Sequence, residues 1–529
     1  MRAAMRSLGV VILALASTVA IAVAWTTAAT VQLLATALIM GGTDHPLTND
    51  EDPAFVSNYL QNAINGYIGP ASQAPTSPGL DPIQDADGNV YAVIYPAGFT
   101  PVFRDTTFGD SVDAGVTNLT GCVRGDGCDY NTNPEVTPPG PELAPSPTED
   151  FVIFGYSQSA VVASLVKRDL IATPRPDGAD TSFFLLANPM RPNGGVLARS
   201  PFPFTIPILN IPFYGATPTN SCDVGPCMPT VDVAAQYDGL GGDAPASLTN
   251  VLAILNAAAG YYYFHGDLQN RDFEDAEYQG HTGDTDYYLI RAQRLPILKP
   301  VEGFVPSPIL TLLDAPLRVL IEGAYARDVD PGVATKVGLL PFRNPVATAI
   351  NLLRSIPTGI DDALAEVTGD PTFRPLGTAP VTSPFGVGGP ELPEPPSEEL
   401  NDAAVTSASS VGDDSARQGG SEDEPVGPVD EAIDEATNGV IEDDEVIEED
   451  EVAVVEDEVI VVEEDDEADS QTGTPTTPVT DPETPDVRGP VEFDSREPAR
   501  APLTAETGND ETTTAETVSN GNEAEAPAA

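Results

Sequence analysis

Residues 151–160 read FVIFGYSQSA, and this stretch decides the fold. An apolar run breaks at Gly155, presents Ser157, and resumes through Gln158 and Ser159 into SQSAVVASLVKRDL, whose apolar spacing is helical. A strand that feeds straight into a helix through such a turn forces its middle residue into a strained backbone. The helix then crosses close over its own strand, so the positions two before and two after Ser157 must be small. The usual frame is G-x-S-x-G, and here its last glycine is Ser159. Serine meets the demand for size, provided that its backbone need not adopt positive φ.

Outward from this turn the chain alternates strand-like and helical stretches. VQLLATALIMGGT (31–43) reads as a buried strand ending in a glycine turn, and VYAVIYPAGF (90–99) as a second strand before 150–155. TSFFLLANP (181–189), VDVAAQYDG (231–239) and TDYYLI (285–290) are the later strands. SLTNVLAILNAAAGYYYF (247–264) reads as a helix opened by a Ser or Thr cap, and ILTLLDAPLRVLIEGAYA (309–326) as a last long helix. Alternation of this kind predicts an α/β fold with a mainly parallel sheet and helices on both faces. NPVATAINLLRSI, within 337–367, predicts a further helix at the domain's edge or on its surface.

Charge divides the chain as well. Residues 401–529 carry 39 acidic residues against four arginines, a net of −35 out of −59. This segment lacks the aromatic content of a core and reads as a disordered acidic tail, reached through the Pro- and Gly-rich PLGTAPVTSPFGVGGPELPEPP. So acidic a chain is not a nucleic-acid binder. At the other end, Arg2 and Arg6 precede LGVVILALASTVAIAVA, with Ala22-Val23-Ala24 as a small-residue cleavage site. The segment reads as an export leader, either cleaved or kept as a membrane anchor lengthened by Trp25 and VQLLATALIM. The expected organisation is a leader or anchor at 1–30, an α/β domain at 31–335, an accessory helical segment at 336–370, and linker plus acidic tail at 371–529. Four cysteines, Cys122, Cys128, Cys222 and Cys227, fit two local disulfides in an oxidising compartment, with a zinc site of four thiolates as the competing reading.

Serine is a weak nucleophile at neutral pH and needs a base. The chain has three histidines, His45, His265 and His281. His45 comes too early for the chain order Ser, Asp, His and fits the pocket rim. His281 directly precedes a strand, which places it at the end of the sheet opposite the catalytic loops. His265 follows an aromatic run and precedes Gly266. The orienting carboxylate should end a strand after the serine, which Asp238 does; Asp243 is the alternative, and Asp232 would point from mid-strand. The oxyanion hole would come from the N–H of Gln158 and a second N–H in the Gly41-Gly42-Thr43 turn, at Thr43. The scheme needs no metal or other cofactor.

LIMGGTDHP, FGYSQSA, LANPMRPNGG, FYGATPT, QYDGLGG, LNAAAGYYYFHG, DTDYYLI and RLPIL follow one another between residues 38 and 298. Together they resemble the PE-PPE domain of mycobacteria and relatives, a cutinase-like branch of the serine α/β-hydrolases. The resemblance covers roughly residues 35–330 and leaves out the tail. It implies that the family's G-x-S-x-S variant falls on Gly155, Ser157 and Ser159, and its later aspartate and histidine on Asp238 and His265. It also implies cleavage of acyl esters through an acyl-serine intermediate, with transfer between trehalose-type glycolipids as the alternative and a non-catalytic envelope-binding module as a third reading. The helical PE or PPE module that often precedes the domain is replaced here by the leader-like segment, so the expectation is a secreted or envelope-associated protein. PFPFTIPILNIPFYG (201–215) fits a lid, an acyl-chain wall or a packed loop.

Overall fold

The computed structural model describes residues 35–396, apart from 75–79, 81–82, 84–88 and 176–178. The chain divides into two units, 1–419 and 420–529, and all described residues lie in the first. The leader-like segment and the acidic tail fall outside the described residues. Among the described residues no helix is long and apolar enough to cross a membrane.

Seven strands form one sheet in the order β2-β1-β3-β4-β7-β9-β8. They are β1 (Thr36–Met40), β2 (Val90–Ala92), β3 (Phe151–Tyr156), β4 (Thr181–Leu186), β7 (Thr230–Ala235), β8 (Ala276–Thr282) and β9 (Thr285–Ile290). All neighbours are parallel except β8, which returns antiparallel along β9. A separate hairpin, β5 (Thr205–Ile206) and β6 (Ile211–Pro212), lies within the segment 201–215.

Alternating side chains send apolar groups to both faces. Ala37 and Ile39 of β1 join Val152, Phe154 and Phe184 in one core, under helix α1 (Pro53–Gln61) and its π-helical extension Asn62–Ile68. Leu38 and Met40 join Ile153, Phe183 and Leu185 in the other, under α2 (Phe108–Arg124) and α3 (Gln158–Ala172). Two buried faces explain why these strands read as continuous apolar runs rather than alternating ones. Past the strands' C-terminal ends, α4 (Val251–Phe264) and α5 (Ser307–Glu322) close a third cluster around Tyr237 and Tyr325.

The structure departs from the sequence expectation in several places. Strand β2 ends at Ala92 rather than at 99, because Pro96 has no N–H to offer and Ala97 adopts φ 50°. From there the chain leaves the sheet and forms a loop, 96–106, over its C-terminal edge. Helices α1 and α2 were not expected, and both carry local start signals: Asp52 before Pro53, and a Thr107 side chain that accepts the Asp110 N–H. Helix α4 is capped by Asn250, which accepts the Ala253 N–H, rather than by Ser or Thr. Strand β8, an unexpected edge strand, carries His281. Cysteines 122 and 128, and 222 and 227, form two local disulfides.

The largest departure is at the C-terminal side. Helix α6 (Pro345–Thr368) packs along α5, and the Pro- and Gly-rich stretch read as linker continues the folded unit. Phe385 is 3% exposed, and its ring lies 4.5 Å from the Arg327 guanidinium. Asp361 accepts from the N–H groups of Leu376 and Thr378, which fastens this stretch to α6. Apolar content is low here, so anchoring falls to one ring and a set of backbone hydrogen bonds. Phe385→Ala is therefore expected to lower unfolding stability by about 3 kcal/mol, read as a lower urea midpoint with an unchanged m-value.

Candidate active site

Ser157 sits between β3 and α3 with φ 57° and ψ −114°, a backbone region that non-glycine residues rarely occupy. Packing holds it there. A Cβ on Gly155 would lie 2.6 Å from the Ser159 carbonyl oxygen and 2.8 Å from the Ala160 Cα, so only glycine lets the helix cross its strand so closely. Ser159 does more than fit: its hydroxyl accepts the Tyr156 N–H at 2.8 Å and donates to the Met40 carbonyl at 3.0 Å. It thereby ties the end of β1 to the turn and satisfies polar groups that would otherwise be buried unpaired.

The structure brings Ser157, His265 and Asp238 together. His265 Nε2 is 2.7 Å from Ser157 Oγ, and its Nδ1 is 2.6 Å from Asp238 Oδ2. His265 follows the last turn of α4 with its ring between two tyrosines. Tyr156 stacks at 5.4 Å between centroids and Tyr261 lies at 4.6 Å. The Tyr156 hydroxyl also donates to the His265 carbonyl. Burial drives the Tyr156 phenol well above its ordinary pKa, so it keeps the proton that this bond requires. Asp238, fully buried, lies just beyond β7 and accepts the N–H of Gly241 at 2.8 Å and of Leu240 at 3.3 Å. Those two donors fix its second oxygen while the first faces the histidine.

The other candidates are engaged elsewhere. Asp243 is paired with Arg327 at 2.6 Å and accepts the Tyr237 N–H at 2.7 Å, so it supports the strand end that carries Asp238. Asp232 is paired with Arg191 and bonded to Asn188 within the core. His45 rests half-buried against Phe55 at 4.7 Å, and burial lowers its pKa. His281 lies at the opposite end of the sheet, bonded to Asp286 at 2.8 Å, and that hydrogen bond raises its pKa.

Gln158 and the Gly41-Gly42-Thr43 turn flank the serine. The N–H of Gln158 opens α3 and so has no acceptor within the helix. Its buried side chain donates to the Gly98 carbonyl at 2.8 Å and accepts the Ser111 hydroxyl at 2.9 Å, while Ser111 accepts the Gly98 N–H. A Cβ on Gly42 would lie 2.9 Å from the Tyr156 ring, so the turn is pressed against the residue preceding Ser157. Loop 96–106 reaches both elements, because Ala97 accepts the Asp44 N–H and Arg104 donates to the Asp44 carbonyl. Ser111, Tyr156, Tyr261 and Gly241 were not singled out from sequence. The glycines of QYDGLGG were the available signal for Gly241, and a lone serine in α2 offers none.

A mainly parallel α/β sheet with a serine on a strained strand-to-helix turn, and a histidine and a carboxylate delivered by later loops at the same edge, has the architecture of the α/β-hydrolases. A PE-PPE domain spans residues 86–326. That span includes Ser157, Asp238 and His265; the turn at 41–43 precedes it. Among curated proteins, three from Mycobacterium tuberculosis are similar. PPE family protein PPE42 (strain CDC 1551 / Oshkosh) is 32% identical over 352 residues, 64% of this chain and 53% of the relative. PE family protein PE3 (strain ATCC 25618 / H37Rv) is 30% identical over 361 residues, 66% of each chain. Esterase PE16 of the latter strain is 34% identical over 276 residues, 50% of each chain. The chain thus spans between about half and two thirds of the length of these relatives. No solved structure is a significant match.

Gly241 offers a test of the geometry that is independent of any substrate. A Cβ there would lie 2.1 Å from Asp238 Oδ2 and 2.8 Å from His265 Nδ1. Gly241→Ala is expected to push the carboxylate off the ring while leaving far-UV circular dichroism unchanged. The downfield proton resonance of an imidazole Nδ1–H bonded to a carboxylate should be present in the wild type and absent in the variant.

Proposed function

We propose that this chain is a serine esterase acting on acyl esters through an acyl-serine intermediate. The unbroken chain of two short hydrogen bonds from Ser157 through His265 to Asp238 carries this reading, and the similarity to a relative named as an esterase agrees with it. Ser157 Oγ attacks the ester carbonyl as His265 Nε2 takes its proton. Asp238 holds Nδ1 protonated, so that Nε2 is the free base, and stabilises the imidazolium that forms. The proton then passes to the departing alkoxide, and water repeats the sequence to release the acid.

Negative charge developing on the carbonyl oxygen falls to the N–H groups of Gln158 and Thr43. Their spacing depends on loop 96–106, because that loop grips the Gln158 side chain on one side and Asp44 on the other. Such a donor pair is preorganised and needs no reorientation at the moment of reaction. The leader-like segment is proposed to direct export, which two disulfides suit.

A fluorophosphonate should label the wild type and fail on Ser157→Ala. On p-nitrophenyl butyrate, Ser157→Ala and His265→Ala are each expected to lower kcat roughly 10⁴-fold, whereas His281→Ala leaves it within twofold or so. Equal losses in both histidine variants would remove His265 from the scheme. Ser111→Ala, which removes the donor to the Gln158 side-chain oxygen, should lower kcat about tenfold at nearly constant KM, since the donor pair acts on charge present only in the transition state.

A further inference from the structure

Beside the histidine lies a cavity of about 510 Å³ with nearly all-apolar walls, a volume in the range of small-molecule sites. Tyr261 forms part of the wall and stands against the His265 ring, and Gly239 and Leu240, which also line it, directly follow Asp238. One ring and one turn thus separate the cavity from the reacting groups. Phe213, at the foot of the β5–β6 hairpin, closes another side.

Most polar atoms nearby are already in use, the buried Arg199 Nε being the exception. Ser247 Oγ accepts the N–H groups of Thr249 and Asn250 at the start of α4, and the Ser200 hydroxyl donates to the Phe202 carbonyl. Arg199 donates to the Ala244 carbonyl and to Thr335. A sugar or charged group entering here would give up most of its hydrogen bonds with water without replacement, whereas an alkyl chain has none to give up and gains apolar burial. Ala257 and Ala258 of α4 leave the space open, and a bulky side chain at Ala258 would take up part of it. Leu240, Leu248 and Ile254 stay 44%, 58% and 38% exposed along the same walls, apolar surface held against water where a ligand would cover it.

We infer that this cavity receives an alkyl chain of the ester substrate and that Leu248, Ile254 and Ala258 set the chain length it accepts. The inference rests on the esterase reading above and adds the substrate's apolar part to it. The chain can belong to the acyl or the alcohol half of the ester, so the test has two arms. In one, kcat/KM of the full-length protein is compared between p-nitrophenyl octanoate and p-nitrophenyl acetate; in the other, between octyl acetate and ethyl acetate. Each methylene that enters the cavity should raise kcat/KM about fourfold, so one of the two series shows a strong preference for the long chain. Ala258→Phe, which takes up part of the space, and Ile254→Glu, which places a charge on its wall, should each cut that preference about tenfold or more; both sites are solvent-facing, so folding is spared. A preference that survives both substitutions overturns the inference. So does the absence of any preference in either series while a fluorophosphonate still labels Ser157. If labelling also fails, the esterase reading is what has failed, and this inference goes with it.

Discussion

The close crossing of α3 over β3 governs the rest of the site. Gly155 has no room for a Cβ, and Ser157 accepts a positive φ because the strand behind it and the helix ahead of it leave no alternative path. A residue in that region costs of order 1–3 kcal/mol, so surrounding structure must over-determine it. Here the hydrogen bond from the Ser157 N–H to the Leu186 carbonyl and the double engagement of the Ser159 hydroxyl do so. The strain buys position: the serine oxygen stands clear of the sheet edge, where His265 reaches it.

That edge is also where the sequence is least regular. Strands β1, β3, β4, β7 and β9 were legible because both sheet faces are buried, which leaves uninterrupted runs of apolar and aromatic residues. The pairing of Ser157 with His265 was legible for a different reason, since three histidines leave few candidates and the family resemblance favours His265 among them. Helix α2 was not, because glycine, threonine and asparagine dilute its apolar stripe of Val112, Val116 and Leu119. Loop 96–106 was invisible as a support element. Its role comes from the Gly98 N–H and carbonyl meeting side chains 13 and 60 residues away and from the Ala97 carbonyl accepting the Asp44 N–H, and no periodicity encodes such contacts. The choice of Asp238 over Asp243 was likewise a matter of turn geometry, which the glycines permit but do not specify.

Seemingly accessory parts also bear on the site. The strand end that presents Asp238 carries Tyr237 at φ 69°, a second strained position. Its N–H is held by Asp243, and Asp243 in turn by Arg327, which also pairs with Glu322 of α5 at 2.8 Å. The Tyr237 hydroxyl accepts from Arg318, also of α5, at 3.2 Å. Arg318 donates as well to the Pro384 carbonyl, to which neighbouring Gln236 donates at 2.9 Å. The Phe385 ring covers Arg327 from outside. Two buried guanidinium groups therefore connect the acid-bearing turn to α5 and to the segment around 384, and each is neutralised by a carboxylate rather than left to bear its desolvation cost alone. Seen this way, the folded stretch that extends past α6 completes the shell around a strained turn. A domain cut at the end of α5 would keep the sheet, the serine, the histidine and Arg318, and would lose Arg327 and the Pro384 carbonyl, which help hold the aspartate's turn in register.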